Sequence, residues 1–343
     1  MADVLRWFHP VLKGALLPAS KPVRVEVNGE GFALFRDASG KAACVADACP
    51  HRFAPLSSGK VRADGRLQCP YHGWHFDAEG RGVSPSNATQ AKCDTRSLRV
   101  EEKYGWVWIC SRDADAAASV PELERDGYRF TGAFSMRMPA PLHVALDNFS
   151  ENEHVPFVHT RLGWDEAAAS LQSIEFEAQN HDDSTTVKYS GQQRWSPLLR
   201  LFDLAPGDRY HNDWVTRFDP VRTEYAISWS RDGVKRPFLT RTTIYMVPET
   251  ARTTWFHVFV TTRLDKRYPL RGWLFRLAAL ALGWWEVRDD ARFLPLVADV
   301  TPAGRLTGKL GKFDKPLIHN RKLLDGYYGG ENANAAPTLR VVP

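Results

Sequence analysis

Cys49-Pro50-His51-Arg52 and Cys69-Pro70-Tyr71-His72-Gly73-Trp74 decide how this chain is read. Together they spell C-x-H, seventeen intervening residues, then C-x-x-H. Each segment supplies one thiolate and one imidazole, so a metal centre built from them needs two loops that face each other. A proline after each cysteine and a glycine after His72 suit tight loop tips. A structural zinc site is one use for two cysteines and two histidines, but common zinc fingers keep each residue type together. The alternating Cys-His, Cys-His order fits better a [2Fe–2S] cluster whose thiolates hold one iron and whose imidazoles hold the other. Neutral imidazole in place of thiolate raises the potential of such a cluster.

The chain has 343 residues, enough for two domains, and its 43% hydrophobic and 25% charged residues are ordinary globular composition. Five cysteines are present, and removing Cys49 and Cys69 leaves an odd set, Cys44, Cys93 and Cys110. That excludes a regular disulfide framework and predicts a reducing, cytoplasmic setting. Met1–Ser20 lacks the basic start and unbroken apolar core of a signal peptide. The longest apolar stretch, Trp273–Trp285, contains Arg276 and is too short to span a bilayer. It reads as a buried or amphipathic helix, with a peripheral membrane contact or a greasy substrate entrance as the lesser alternatives. The net charge of +5 is mild and the basic residues are scattered, which argues against nucleic acid. Arg305–Lys322 is locally basic and reads as solvated surface, with steering of an acidic redox partner as the alternative.

Residues 1–125 read as β-rich. Val23–Val27, Phe32–Arg36, Ala42–Ala46, Leu67–Cys69 and Trp106–Cys110 are short strand-like runs, and Asn28-Gly29, Asp64-Gly65 and Glu79-Gly80 are hairpin turn signals. The Cys-His segments fall between strands. Asp113–Ser119 reads as a linker and the boundary is placed near Asp126. Beyond it, Leu142–His154 is free of glycine and proline and predicts a helix that Pro156 ends. Thr185–Ser190, Trp214–Phe218, Tyr225–Ser230, Phe238–Val247 and Thr253–Thr262 predict one large antiparallel sheet, and Leu270–Phe293 a helix packed on it. The fold class expected is α+β: an all-β domain over 1–125, then a domain over 126–343 with a large antiparallel sheet and packed helices. The tail from Glu331 reads as loose.

A second metal segment lies at Asp147–His159. His154 and His159 are five apart, a spacing one unbroken helix does not align, but a break at Pro156 lets both rings converge. Two imidazoles and a carboxylate make the facial triad of mononuclear non-haem Fe(II), which leaves positions open for O2. A carboxylate hydrogen-bonded to His154 orients that ring and raises its basicity, and Glu151 is suited to that role.

The two motifs together resemble the catalytic subunits of Rieske non-haem iron oxygenases, over most of the chain. Respiratory and photosynthetic Rieske proteins usually carry an extra cysteine in each loop. Ala54 and Tyr71 stand at the candidate positions here, which sets the chain with the ferredoxins and oxygenases, and a Rieske ferredoxin needs only about 100 residues. Glu151, His154 and His159 match the family's acidic residue, two residues, His, four residues, His. The acidic position is usually Asp and here is Glu. Asp147-Asn148 resembles the approach to the family's iron site, and Asn148 joins Glu151 as a candidate catalytic residue. The family's third iron ligand is often the second of an acidic pair on a late helix. That implies Asp290, with Asp289 as runner-up, although the Gln common a few residues later is absent, with Leu296-Val297 nearby.

The resemblance implies an O2-dependent oxygenase that hydroxylates or oxidatively demethylates a hydrophobic, aromatic or polycyclic substrate. Trp195, Trp214, Trp229, Tyr245, Trp255 and Phe259 are candidate pocket residues. A ring cis-dihydroxylating dioxygenase is the alternative within the family, and a Rieske electron-transfer protein the alternative outside it. No Gly-rich dinucleotide fingerprint follows a strand, so electrons from NAD(P)H are expected through a separate ferredoxin or flavin reductase. The resemblance also implies a head-to-tail homotrimer, with His72 of one subunit bridged by Glu151 to His154 of the next. Purified anaerobically, the protein is expected to be brown and, once reduced, to give a rhombic Rieske EPR signal. Replacing His51 or His72 by alanine should abolish the signal, and its survival in both variants would refute the ligand assignment.

Overall fold

The computed structural model describes residues 4–86, 93–159, 161, 174–264, 269–300 and 308–329. The expected tail from Glu331 and the start of the basic stretch at Arg305 lie outside them. The chain divides into two compact units, one of Asp3–Pro121 with Val247–Ala251, the other of Glu122–Met246 with Arg252–Pro343.

The first unit is all β among the described residues, apart from single 3-10 turns. Its strands are β1 (His9–Lys13), β2 (Val23–Val27), β3 (Glu30–Arg36), β4 (Ala42–Ala46), β5 (Lys60–Val61), β6 (Leu67–Gln68), β7 (His75–Phe76), β8 (Gly82–Val83), β9 (Leu98–Lys103) and β10 (Trp106–Ser111). They form three antiparallel sheets in the orders β1-β10-β9, β2-β3-β4 and β5-β6-β7-β8. The turn between β2 and β3 places both Asn28 and Gly29 at positive φ, 52° and 80°, the backbone a two-residue hairpin demands. Strand β10 is buried along its whole length, so its Trp-Val-Trp-Ile-Cys run shows no alternation. The stretch read as a linker is tied down: Arg99 donates to the carbonyls of Asp115 and Ala118 at 2.9 and 2.8 Å.

The second unit is built on one eight-stranded antiparallel sheet. Its strands are β11 (Arg129–Met138), β12 (Glu175–Asn180), β13 (Ser184–Gln192), β14 (Arg209–Phe218), β15 (Val221–Arg231), β16 (Val234–Lys235), β17 (Phe238–Thr250) and β18 (Thr253–Leu264). The order is β11-β18-β17-β15-β14-β13-β12, with the short β16 pairing β15. Four helices accompany it among the described residues: α1 (Leu142–Asn148), α2 (Val155–Val158), α3 (Pro269–Val300) and α4 (Lys315–Tyr328). The fold class is the expected α+β, with β11, β12, β16, α2 and α4 added to the elements read from sequence in this half of the chain.

The largest departure is at Leu142–His154, which is not one helix. α1 stops at Asn148 because side chains claim its backbone. The Ser150 hydroxyl donates to the Leu146 carbonyl at 2.6 Å, and the Glu151 carboxylate accepts the backbone N–H groups of Glu153 and His154. Such local bonds compete with helix continuation. Pro156 therefore opens α2 instead of breaking a helix, as its missing N–H allows in a first turn. The basic stretch is also not simply solvated. α4 buries Leu317, Asn320 and Leu324, and Arg321 grips Asp147 of α1 through two bonds of 2.7 and 2.5 Å. No helix among the described residues is long and apolar enough to cross a membrane.

A buried ion pair ties the sheet beneath this region. Arg222 and Glu224, each 8% exposed, meet at 3.0 Å, and Arg125 also binds Glu224. Burial works to raise the Glu224 pKa, but the Arg222 and Arg125 guanidiniums outweigh it and hold the carboxyl below its ordinary value. A depressed folded-state pKa gives stability that is complete above the unfolded value, about 4.3, and is lost as pH falls through the folded one. Glu224→Gln should therefore cost about 3 kcal/mol at pH 7 by leaving Arg222 short of a buried partner. Thermal unfolding should show the gap from wild type narrowing below about pH 4.

Candidate metal centres

In the first unit the two Cys-His loops are near copies. The first joins β4 to β5 and the second joins β6 to β7. In one loop the N–H of Phe53 donates to Cys49 O and the N–H of Cys49 to Ala54 O, at 2.8 and 3.0 Å. In the other the N–H of Gly73 donates to Cys69 O and the N–H of Cys69 to Trp74 O, at 3.2 and 2.7 Å. The fifth residue of each loop takes positive φ, 56° at Phe53 and 72° at Gly73. Glycine accepts that conformation freely, whereas a phenylalanine there is rare. Asp47 anchors the first loop by accepting the Ser57 N–H and hydroxyl at 2.6 and 2.7 Å, while Arg24 closes on it at 2.5 Å.

Cys49 and Cys69 sit in the core under the loop tips, 1% and 2% exposed, and neither forms a disulfide. His51 and His72 are exposed above them with ring centroids 4.5 Å apart, and Trp74 stacks flat on His51 at 4.8 Å. Burial and the neighbouring Cys69 thiol push the Cys49 thiol up to about 11. Desolvation and the nearness of His72 and Arg52 push the His51 imidazole down. Two buried thiols and two neighbouring imidazoles are the donor set a [2Fe–2S] cluster of Rieske type takes.

In the second unit His154 and His159 cap the two ends of α2, a single helical turn. Their Nε2 atoms lie 3.2 Å apart, and Asp290 Oδ1 lies 3.5 and 3.3 Å from them. The three ligand atoms all fall within 4.8 Å of one another. Asp290 is 3% exposed and its Oδ1 has no hydrogen-bond partner. A proton bridges two of these atoms at most, whereas a cation satisfies all three. Two imidazoles and a carboxylate on one side suit ferrous iron. Asp289 is turned away, paired with Arg161 at 2.9 Å and Arg292 at 3.3 Å. Successive helical residues point about 100° apart, so only one of the two acids can face α2.

Each histidine has its own carboxylate behind it. His154 Nδ1 donates to Glu151, in the same chain. His159 Nδ1 lies 3.1 Å from Glu286 Oε2, close enough to pair but without hydrogen-bond alignment. Burial alone would lower both imidazoles. Glu151 and Asp290 outweigh it at His154, and Asp290 with Glu286 lifts His159 to about 9. Burial raises Glu286 to about 7. The surroundings of the triad thus favour positive charge. Asn148, the last residue of α1, lines the same cavity, and its Nδ2 is buried without a partner.

The triad helps line a largely apolar cavity between the sheet and α3. Alternate residues supply the sheet wall: Tyr210 and Asn212 from β14, Tyr225, Ile227 and Trp229 from β15. α3 supplies Phe275, Ala279, Leu282, Glu286 and Asp290, at helical spacing. Of the six aromatic residues expected in a pocket, only Trp229 lines it. Trp214, Tyr245 and Phe259 are buried in the sheet, Trp255 stacks on His257, and Arg200 covers Trp195. Glu286 and Asn212 were not read from sequence. Glu286 had a signal, since it stands one helical turn before Asp290. Asn212 had none, because only strand pairing reveals which face it takes.

Known proteins share parts of this chain's sequence and its fold. Residues 7–97 match the model of the Rieske [2Fe-2S] domain. The oxygenase subunit of vanillate O-demethylase from Pseudomonas sp. (strain HR199 / DSM 7063) is 32% identical over 215 residues, 59% of each chain. The chloroplast protein TIC 55 of Pisum sativum is 29% identical over 197 residues, 54% of this chain and 35% of that one. The chain thus spans about a third of that relative's length. Dicamba monooxygenase bound to dicamba shares the fold, with a TM-score of 0.75 at 22% identity over 98% of this chain and 100% of that one. The chain carries a Rieske [2Fe–2S] domain. Its sequence relatives include the oxygenase subunit of vanillate O-demethylase.

The geometry separates the two acids of α3. Asp290→Ala should lose mononuclear iron, read by metal analysis, while the Rieske spectrum stays intact. Asp289→Ala should retain iron within about twofold, because it loses only its Arg161 and Arg292 pairs. The reverse ranking would move the ligand to Asp289.

Proposed function

We propose that the chain is the catalytic component of an O2-dependent oxygenase that hydroxylates or oxidatively demethylates a hydrophobic substrate. The observation that carries this reading is the His154–His159–Asp290 triad lining a largely apolar cavity, in a chain that also holds a Rieske domain. Residues 1–125 serve as the Rieske domain, with Cys49, His51, Cys69 and His72 holding the cluster. Residues 126–343 serve as the catalytic domain, with His154, His159 and Asp290 holding Fe(II). When bound, the two centres supply single electrons and a ferrous site with positions open for O2.

The protein's own part is positioning and exclusion. Glu151 fixes the tautomer of His154 by accepting from Nδ1, which leaves Nε2 free to ligate. The same carboxylate holds the turn that ends α1, so it sets both where His154 sits and how its ring points. Asn148 offers an amide N–H beside the triad. The apolar walls would hold a greasy substrate beside the triad that would bind the metal. Electrons come from a separate ferredoxin or flavin reductase drawing on NAD(P)H. The working assembly is a homotrimer in the cytoplasm, and Glu151 of one subunit also receives His72 of its neighbour.

Iron content tests the reading directly: three irons per chain are expected, and two would leave an electron carrier. Glu151→Gln should keep both centres loaded and cut turnover about 10- to 100-fold, with Glu151→Asp retaining part of it. Wild-type turnover in both variants would remove Glu151 from the site. A monomer that turns over at full rate when dilute would exclude the trimer route.

A further inference from the structure

We infer that the cavity takes a neutral, largely apolar molecule bearing a hydrogen-bond-donating hydroxyl, and rejects carboxylates. This inference rests on the oxygenase reading for what happens to the molecule, but not for what binds. Among the described residues, no lysine or arginine lines the cavity. Its acidic residues are Glu151, Glu286 and Asp290, and its two histidines belong to the triad. A carboxylate entering this space finds no lysine or arginine to pair with along the described wall. Burying an unpaired charge is strongly unfavourable.

The wall is not featureless, however. Two buried oxygens, Asn212 Oδ1 and Glu286 Oε1, have no hydrogen-bond partner. They come from opposite walls, Asn212 from β14 and Glu286 from α3. Two of the other polar tips along the wall are already used. The Tyr225 hydroxyl donates to Phe149 O at 2.7 Å and the Trp229 indole N–H to Gln193 Oε1 at 2.7 Å. The amide nitrogens of Asn148 and Asn152, also without partners, carry no charge to offset an anion. Buried acceptors left unmatched cost free energy, so a ligand that donates to one of them is selected over one that does not. Asn212 sits in a row with Ile227 and Thr240 across three strands, flanked by the Tyr210–Trp229 pair, so the donor is presented from an apolar skeleton.

Three probes of one shape test this: 2-naphthol, naphthalene and 2-naphthoate, measured by equilibrium dialysis at pH 7 on protein purified anaerobically with iron supplied. 2-Naphthol should bind tightest, naphthalene about tenfold weaker and 2-naphthoate about a hundredfold weaker or more. Asn212→Leu and Glu286→Leu should each bring 2-naphthol toward the affinity of naphthalene, while naphthalene itself still binds. Retained naphthalene binding shows that the variant is folded, and Asn212→Leu keeps the test intact where Glu286→Leu does not fold. Equal affinities, preferred naphthoate, or no binding by any of the three overturns the inference. Iron content on the same samples separates the readings. The expected preference without a third iron refutes the oxygenase reading alone, and three irons with the opposite preference refutes this inference alone.

Discussion

Two imidazole nitrogens 3.2 Å apart, facing one buried carboxylate oxygen, are the constraint on which the second unit turns. Their lone pairs repel unless positive charge sits among them, and the surroundings supply that bias. Glu151 stands behind one ring and Glu286 behind the other. Holding this arrangement requires α1 to stop on time. Ser150 and Glu151 stop it with side-chain bonds to the backbone, and α4 secures the exit. Asn320 joins Ser150 to Thr185, and Arg321 joins Asp147, all in bonds of 2.5 to 2.9 Å. A helix distant in sequence thus sets the tolerance of the metal site.

The first unit solves a similar problem by duplication. Two loops with the same pair of backbone hydrogen bonds place one cysteine and one histidine each. Burial of the sulfurs and exposure of the imidazoles follow from the loop shape, since the cysteine begins the turn in the core and the histidine lies on its tip. The cost is local: Phe53 takes a backbone conformation that suits its counterpart, Gly73. Trp74 of one loop stacks on His51 of the other, so the two tips are aligned by contact as well as by strand pairing.

α3 does two things at once, which explains its weak amphipathic pattern. One side closes the cavity with Phe275 and Leu282 and delivers Asp290. The other leaves Trp273, Leu277, Phe293 and Leu296 exposed, so apolar residues occur all round. A helix read by periodicity alone looks simply buried. Its small residues have a separate reason, because Ala278, Ala279 and Gly283 face the cavity and leave it room.

Much of the fold was legible in the chain. The hairpin turns at Asn28-Gly29, Asp64-Gly65 and Glu79-Gly80 are local, and their backbone needs are written in the residues that occupy them. The Cys-His motif was legible for the same reason, as its four side chains lie within two short loops. The alternating runs of the second half gave the sheet and its class. What sequence could not supply was set by distance. The end of α1 depends on which side chains win its backbone bonds, and the basic stretch became a packed helix because Asp147, far upstream, holds Arg321. Asp290 and Asp289 are adjacent and chemically alike, so the chain alone ranked them only by resemblance. The rotation of α3 about its axis turns one toward His159 and the other toward Arg161. Sequence determined which chemistry the chain carries, because ligand types and local spacings survive in one dimension. Tertiary structure decided which side chains meet, because helix phase and strand register fix direction, and direction is not a local property.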